Sequence, residues 1–379
     1  MELSQEHILL RDMVRSFTEK EITPLADRMD RENYLPDDIF IKLGDLGILG
    51  VTVSEEYGGA GSDVLSQVLI MEEIAKGSAG IALSYGAHAN LCTHNIYKNG
   101  NDAQRKKYLP PLCTGKHIGA LALTEPGAGS DAVSIQTRAV REGDYYRLNG
   151  QKMFITNAPI ANTMLVYAKT DKSKGAHGIT AFIVESKFEG VTVSPKIPKL
   201  GCNPSPTGEV FFEDCMVPAE NVLGEENRGV AVMMAGLDVE RVVMAGLGIG
   251  IAEAALAASL KYSKERQQFG KPIAEFQLIQ AKLADMYTSI EAARLLTYDT
   301  AIRTSREKRL RKESAAAILF SAEMTTKTCL EAIQIHGGYG YTLEFPVNRY
   351  LRDAKLLEIG AGTSEIRRLL IARELLNGR

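Results

Sequence analysis

The sequence predicts an α+β protein, mostly α, built as helices, then a β module, then a longer helical bundle. Apolar residues recur at helical spacing from Ser4 to about Thr114. Short segments rich in β-branched and aromatic residues begin near Ile118, and helical periodicity returns after Gly224. A chain of 379 residues is long enough for two or three domains. We place their boundaries at 1–117, 118–223 and 224–379.

The N-terminal part is predicted to be helical because capping residues precede its apolar runs. Ser4 stands before apolar positions that recur at helical spacing, at Ile8, Leu9, Met13 and Phe17. A glycine-rich loop at 57–63 separates this region from two further helices, at about 63–76 and 78–98. The second of these is rich in small residues, which indicate close packing or a cavity.

The middle part contains short segments separated by Gly, Asn and Pro, as is typical of a small antiparallel β domain. These segments never alternate with full helices, so a parallel doubly wound sheet is not expected. The predicted strands lie at 119–124, 144–148, 152–156, 163–169, 179–184 and 209–213.

The C-terminal part opens with a run from Gly229 to Leu260 that is apolar on all sides of a helix. Such a helix belongs in a protein core or in a membrane. The uncharged interval from Val242 to Ala252 is too short to cross a bilayer, so we expect a core helix. Glu240 lies within it, and a buried carboxylate needs either a partner or a chemical task.

Composition excludes several classes of function. With 44 basic and 47 acidic residues the net charge is −3, which gives no strong field for nucleic acid or an anionic membrane. The basic cluster at 303–312 is interleaved with acidic residues and is interpreted as a solvated corner. The five cysteines and six histidines show no metal-ligand spacing, so no metal site is expected. The N-terminus does not resemble a signal or transit peptide, so we expect a cytoplasmic protein, or one of a mitochondrial-matrix-like soluble compartment if processed.

Five segments combine glycines with polar or aromatic side chains that suit a ligand. Each segment alone is weak evidence for any one function. Their joint occurrence in this order is much more specific. They are Leu123–Asp131, Phe154–Asn157, Arg266–Gln277, Gln334–Tyr341 and Glu358–Arg368.

Together these segments resemble the acyl-CoA dehydrogenase family over essentially the whole chain. The resemblance implies a helical N-terminal domain, a middle antiparallel β-barrel-like domain and a C-terminal four-helix bundle. It also implies one FAD per subunit, a homotetramer, and electron-transferring flavoprotein as the partner that accepts the electrons.

The resemblance assigns the cofactor residues in three groups. One group flanks the flavin ring, and a second reaches FAD across a subunit boundary. Thr363 and Glu365 hold its other parts. The first group is Leu123, Thr124, Ser130, Phe154, Ile155 and Thr156, and the second is Arg266, Phe269, Gln277, Gln334, Gly337 and Gly338.

The reaction so implied is α,β-dehydrogenation of an acyl-CoA thioester. A base removes the α-proton while the β-hydrogen leaves as hydride, and the thioester oxygen must be hydrogen-bonded as enolate charge develops. Desolvation must raise the pKa of a carboxylate toward neutrality if it is to act as this base.

The last glycine loop departs from the straight-chain members, which carry their catalytic glutamate there. This chain has Ala361 at that position, and alanine accepts no proton. The isovaleryl-CoA dehydrogenase branch has the same Gly-Ala-Gly-Thr loop and carries its base in a Leu-Asp-x-Glu-Arg segment, which matches 237–241. The resemblance therefore implies Glu240 as base, with the Ala361 N–H on the thioester oxygen.

The acyl group is predicted from the residues beside the reacting carbons. Gly360 replaces a large aromatic residue and leaves room for a branch. By resemblance Ser130, Gly362, Asp238 and Arg241 also contact the substrate, the last two through CoA or its pantetheine arm. The segment 85–92 is expected to line the cavity. Ala231, where isovaleryl enzymes often have tyrosine, leaves open a bulkier alicyclic or aryl-substituted acyl group.

Two other functions remain open at this point. One is an acyl-CoA oxidase or nitroalkane-oxidising relative that passes electrons to oxygen. The other is a flavin-free helical binding protein that keeps only the fold. The leading hypothesis is an FAD-dependent dehydrogenase of a short branched acyl-CoA.

Overall fold

The computed structural model describes residues 3–307 and 310–378. Lys308 and Arg309 of the basic cluster lie outside this part. Elsewhere in the cluster, Arg303 pairs with Glu307 and Glu313, as expected of a solvated corner.

The N-terminal region is helical, as predicted. Helix α1 begins after Ser4, whose side chain accepts a hydrogen bond from the His7 N–H, so the predicted cap is confirmed. Helix α4 is buried on nearly all sides. The helices described here are α1 Gln5–Phe17, α2 Ala26–Glu32, α3 Ile39–Asp45, α4 Val64–Gly77, α5 Ala79–Gly86, α6 Asn95–Asn99 and α7 Asp102–Cys113.

The helix predicted at 78–98 is continuous but not uniform. Between α5 and α6 the segment Ala87–His94 is wound as a π-helix, which inserts extra residues per turn. His88 in this segment is fully buried and accepts a hydrogen bond from the Gly119 N–H at 2.9 Å. Its Nε2 lies 3.0 Å from the Leu112 carbonyl oxygen, and burial lowers its pKa to about 4. His88 therefore joins the helical region to the sheet as a neutral side chain.

The middle region is one sheet whose strands follow the order β6-β7-β3-β2-β4-β5-β8, with β1 paired to β4. Most ladders are antiparallel, as expected, whereas β1 and β2 run parallel to β4. The two predicted segments at 144–148 and 152–156 form one strand, and β2, β6 and β8 had no prediction. The bounds are β1 Gly119–Ala122, β2 Arg138–Glu142, β3 Tyr145–Thr156, β4 Thr163–Lys169, β5 Ile179–Glu185, β6 Val191–Val193, β7 Thr207–Pro218 and β8 Val222–Leu223.

The C-terminal region contains four long helices and a shorter one. They are α8 Gly229–Glu265, α9 Gln277–Arg303, α10 Arg311–His336, α11 Val347–Ala354 and α12 Ser364–Leu376, with the two-residue strands β9 Gln267–Gln268 and β10 Lys271–Pro272 between α8 and α9. Helices α8, α9, α10 and α12 pack together as the predicted bundle. The mostly α, three-part fold class is confirmed, while the exact domain boundaries stay a prediction.

Helix α8 is the central element and packs against the N-terminal helices through glycines. A Cβ on Gly246 would lie 2.8 Å from the Val68 carbonyl oxygen, and one on Gly250 would lie 2.2 Å from that of Glu72. Only glycine permits this approach to α4. Among the described residues, α8 is the one helix long and apolar enough to span a membrane, but 72% of its most apolar window is buried inside the protein. That burial is typical of the predicted core helix.

Candidate active site

Glu240 lies on α8 where the helix passes from the β region into the helical core. One turn before it, Gly236 packs so closely on Asn95 that a Cβ would lie 2.6 Å from the amide of that side chain. One turn after it, Val243 and Met244 are buried in the main core. Contacts on both sides thus fix the helix at the position of Glu240.

The Glu240 carboxylate has no hydrogen-bond partner for its buried Oε2 atom among the described residues. Burial raises the pKa of Glu240 to about 7, and the positive charges of Arg241 and Arg367 oppose this increase. A carboxylate with a pKa near neutrality is able to accept a proton at physiological pH. The Glu240 side chain is therefore desolvated, and its role as the base stays a prediction.

The loop between α11 and α12 has an unusual backbone at Ala361 and Gly362. Ala361 has φ of +55° and Gly362 has φ of +87°, and a left-handed alanine is strained. Within the described residues, the Ala361 N–H donates no hydrogen bond to another protein group. Thr363 follows as the N-cap of α12 and accepts from the Ile366 N–H at 3.3 Å. The loop thus presents the free Ala361 N–H next to a helix N-terminus.

Asp238 and Arg241 are paired with each other. Arg241 is 7% exposed, and its Nη1 donates to Asp238 Oδ1 at 2.8 Å. Arg311 lies 3.8 Å from the other oxygen of Asp238. The predicted contact of Asp238 and Arg241 with CoA therefore has to compete with an internal ion pair.

Two of the segments predicted to flank the flavin ring, the loop that follows β1 and the end of β3, are joined by a backbone hydrogen bond. The Met153 N–H donates to the Thr124 carbonyl at 2.8 Å, which joins the loop after β1 to strand β3. Phe154, next in β3, has φ of +58° and is 60% exposed at an irregularity of the β3–β7 ladder. The Ile155 side chain instead packs in the sheet core, which leaves only its backbone for a ligand.

A buried ion pair that the sequence prediction missed supports this loop. Lys152 is fully buried and donates to the Leu123 carbonyl at 3.1 Å and to Glu125 Oε1 at 2.8 Å. Burial lowers the pKa of Lys152 to about 8, although Glu125 opposes this decrease. Glu125 lies inside the segment Leu123–Asp131, and Lys152 begins the predicted strand at 152–156. A charged residue in an apolar setting was the available signal for each.

Four of the six residues in the second predicted cofactor group line a separate groove of about 670 Å³ at the end of the bundle. Arg266, Phe269, Gly337 and Gly338 line it, whereas Gln277 and Gln334 are exposed nearby but are not among its lining residues. Phe269 is 94% exposed and has φ of +51°. None of the residues predicted to flank the flavin ring is among those that line this groove.

These surfaces fit FAD. Exposed rings at Phe154 and Phe269 offer flat apolar faces, and open space beside Gly337 and Gly338 lets a ligand approach the backbone. Arg266 supplies a positive charge for a diphosphate and lies over the Tyr339 ring at 5.6 Å. Thr124, Ser130 and Thr156 add hydroxyl groups, and Glu365 is exposed in the first turn of α12.

Comparison with known proteins identifies the family. The chain matches the acyl-CoA dehydrogenase N-terminal, middle and C-terminal domain models at residues 4–116, 120–215 and 227–376. The chain belongs to the acyl-CoA dehydrogenase family and is an FAD-dependent oxidoreductase that acts on acyl-CoA.

Within that family it is 50% identical over 367 residues to isovaleryl-CoA dehydrogenase, mitochondrial, of Solanum tuberosum, covering 96% of this chain and 89% of that one. It is 48% identical to the 2-methylacyl-CoA dehydrogenase, mitochondrial, of the same organism over 96% of this chain and 89% of that one. The structure of butyryl-CoA dehydrogenase from Megasphaera elsdenii superposes with a TM-score of 0.97 at 43% identity, covering 99% of both chains.

The unusual pKa of Glu240 predicts a stability effect that depends on pH. A folded pKa of about 7 lies above the ordinary value of 4.5, so the folded protein binds this proton more tightly than the unfolded chain. Stability contributed by the buried group is present below about pH 4.5 and is lost as pH rises through about 7. Glu240→Gln removes this loss, and we expect it to stabilise the protein by about 1–2 kcal/mol at pH 8.

Thermal unfolding of Glu240→Gln and the parent at pH 5 and pH 8 checks this expectation. The difference in midpoint is expected to be small at pH 5 and larger at pH 8. An equal difference at both pH values would mean that the carboxylate is not destabilised by its surroundings.

Proposed function

We propose that the chain dehydrogenates a short branched acyl-CoA, such as isovaleryl-CoA, to the 2-enoyl-CoA. The observation that carries this proposal is the Glu240 carboxylate, half-buried on α8 with one oxygen unpartnered and a pKa near 7. A structural ion pair would place its partner on that oxygen. An unpartnered buried acceptor suits a proton that arrives with the substrate.

In the proposed reaction, Glu240 accepts the α-proton of the thioester as the Cα–H bond breaks. The Ala361 N–H donates to the thioester oxygen, where enolate charge develops, and such a donor lowers the barrier by about 2.7–4 kcal/mol in acyl chemistry. The β-hydrogen leaves as hydride, for which FAD, when bound, would supply the acceptor. Loss of one proton and one hydride yields the Cα=Cβ double bond.

Space beside the loop supports a branched acyl group. A Cβ on Gly360 would meet only the Leu356 carbonyl oxygen at 3.4 Å and Leu356 carbon atoms at 3.9–4.0 Å, so the far side is open. The names of the relatives quoted above, isovaleryl and 2-methylacyl enzymes, favour the same class. Ala231 is exposed at the start of α8, nine residues or about 13 Å along the helix from Glu240. Ala231 is therefore expected to influence the choice of acyl group less than Gly360 does.

Gly360→Tyr is expected to restore the large residue of the straight-chain enzymes and to fill the space for a branch. Its backbone φ is outside the left-handed region, so tyrosine is tolerated there. We expect kcat/KM for isovaleryl-CoA to fall about 10- to 100-fold, and that for butyryl-CoA to change much less. Steady-state kinetics with both thioesters check this, and equal losses for the two would contradict the substrate proposal.

An anaerobic titration tests the proposed function itself. Isovaleryl-CoA or a related branched thioester is expected to bleach the oxidised flavin band of the purified protein. If no branched or cyclic thioester in a panel does so, the substrate proposal is wrong. Full turnover with peroxide formation and no added acceptor would instead favour the oxidase alternative.

The proposed partner for reoxidation is electron-transferring flavoprotein, by the family resemblance. An oligomer is proposed because the groove at Arg266 and Phe269 is separate from the flavin-ring residues, so one cofactor would need two chains. The family resemblance implies that this oligomer is a homotetramer. A soluble cytoplasmic or matrix-like location completes the proposal.

A further inference from the structure

Arg367 is a buried cation beside the proposed site that none of the roles above uses. It lies on α12, four residues after the cap Thr363, and is 1% exposed. Its Nη2 donates to the Gly360 carbonyl at 2.5 Å. Its Nε and Nη1 atoms have no partner among the described residues. A buried guanidinium with two free donors is costly, so a structural role alone does not explain it.

The bond to Gly360 fixes the orientation of the Ala361 N–H. The Gly360 carbonyl and the Ala361 N–H belong to one planar peptide, and in a trans peptide they point in opposite directions. The structure contains no cis peptide among its described residues. A guanidinium on the carbonyl side therefore holds the N–H pointing to the other side. It also polarises the peptide, which strengthens the N–H as a donor.

The charge of Arg367 also acts on Glu240. Two charged groups act on the Glu240 carboxylate, Arg241 on its own helix and Arg367 on α12. The Glu240 carboxylate in turn raises the pKa of the Tyr167 phenol on β4. Tyr167 is fully buried and its hydroxyl has no partner, so it provides no compensating positive charge. Arg241 is already bound to Asp238, which leaves Arg367 as the cation without a carboxylate bonded to it.

The other carboxylates that influence Arg367 are already paired with other cations. Glu323 and Glu358 also influence Arg367, but Glu323 pairs with Arg368 and Glu358 pairs with Lys355. Burial lowers the pKa of Arg367 to about 10, with Arg241 acting in the same direction and Glu240 in the opposite one. Arg367 therefore remains charged at neutral pH.

We propose that Arg367 is the positioning residue of the site: it locks the Gly360–Ala361 peptide so that the Ala361 N–H faces the thioester oxygen, and its charge keeps Glu240 ionised. This inference rests on the proposed function of Glu240 and Ala361. Through Arg367, the loop at Gly360 and Ala361 acts together with the base Glu240 on α8. Arg367 touches neither reacting atom.

The test compares Arg367→Gln, Arg367→Lys and the neighbouring control Arg368→Gln, all as FAD-loaded protein. Arg368 is exposed and pairs with Glu323, so its loss removes a similar charge outside the site. The first readout is the protonated carboxyl band of Glu240 in the infrared, identified by its absence in Glu240→Gln and titrated with pH. The second is the pH profile of kcat/KM for isovaleryl-CoA.

Arg367→Gln is expected to raise the pKa of Glu240 by about one unit or more, because a neighbouring cation is lost. A shift from about 7 to about 8 lowers the ionised fraction at pH 7 about fivefold, so kcat/KM falls at least that much and partly recovers at high pH. Arg367→Lys is expected to keep the pKa near that of the parent while still lowering kcat through the loosened peptide. Arg368→Gln is expected to change neither.

The proposal is overturned if Arg367→Gln leaves the carboxyl titration and the pH profile unchanged, even if it lowers the unfolding temperature. The parent protein could oxidise no acyl-CoA while Arg367→Gln still raises the pKa of the Glu240 carboxyl band. In that case the proposed function has failed and the electrostatic role of Arg367 stands. The two failures are thus distinguishable.

Discussion

Glu240→Gln is expected to slow flavin reduction by isovaleryl-CoA by about 10²- to 10⁴-fold, the usual contribution of a positioned general base. Glutamine has nearly the same shape but accepts no proton from carbon. FAD content and thioester binding are expected to persist, because Glu240 makes no hydrogen bond that supports either among the described residues. Anaerobic stopped-flow absorbance with saturating thioester measures the effect.

Glu265→Gln is the matched control. Glu265 lies at the exposed end of the same helix, 25 residues or about 37 Å from Glu240. Replacing Glu265 is expected to leave the rate of flavin reduction within about twofold of the parent rate. A Glu240→Gln variant that reduces its flavin at nearly the parent rate would place the base elsewhere.

Adding Ala361→Glu to Glu240→Gln is expected to recover at least tenfold of the lost rate. The loop of this chain differs from that of the straight-chain enzymes by lacking the carboxylate at Ala361. Alanine there already adopts φ of +55°, so glutamate adds no new backbone strain. The added glutamate side chain would serve as the base. The backbone N–H of residue 361 would still donate to the thioester oxygen.

Flavin reduction in the single and double variants measures this recovery. Ala361→Glu alone is the control, and it is expected to be less active than the parent because two carboxylates then share the pocket and raise each other's pKa. A double variant no faster than Glu240→Gln would mean that position 361 does not face the α-carbon.

The sequence predicted most of the fold because its periodicities are strong. The start of α8 and the bounds of β4 and β5 were located to within one residue, while α8 ends five residues beyond the predicted apolar run. Strand β2 was missed because Arg138–Glu142 is charged and largely exposed, without the alternation typical of a half-buried strand. The π-helical segment Ala87–His94 has no pattern that distinguishes it from an α-helix.

The candidate site was predicted through its motifs, and its supporting residues were not. Glu240 and Ala361 were found because the chain resembles one branch of a known family. Lys152, Glu125 and Arg367 act through contacts between segments distant in sequence, and local patterns do not show which charges become buried. The ion pair of Asp238 with Arg241 is local, three residues apart on α8, and was not predicted because both residues had been assigned to CoA.

Exchange of the α-proton of isovaleryl-CoA in D₂O tests the central proposal most directly, using protein whose flavin has first been chemically reduced. Hydride transfer is then blocked, so deuterium uptake at Cα, followed by NMR, reports only the base and the oxyanion donor. We expect the parent to exchange this proton and Glu240→Gln to exchange it at least 10²-fold more slowly. Equal exchange by both proteins would contradict the assignment of Glu240 as the base.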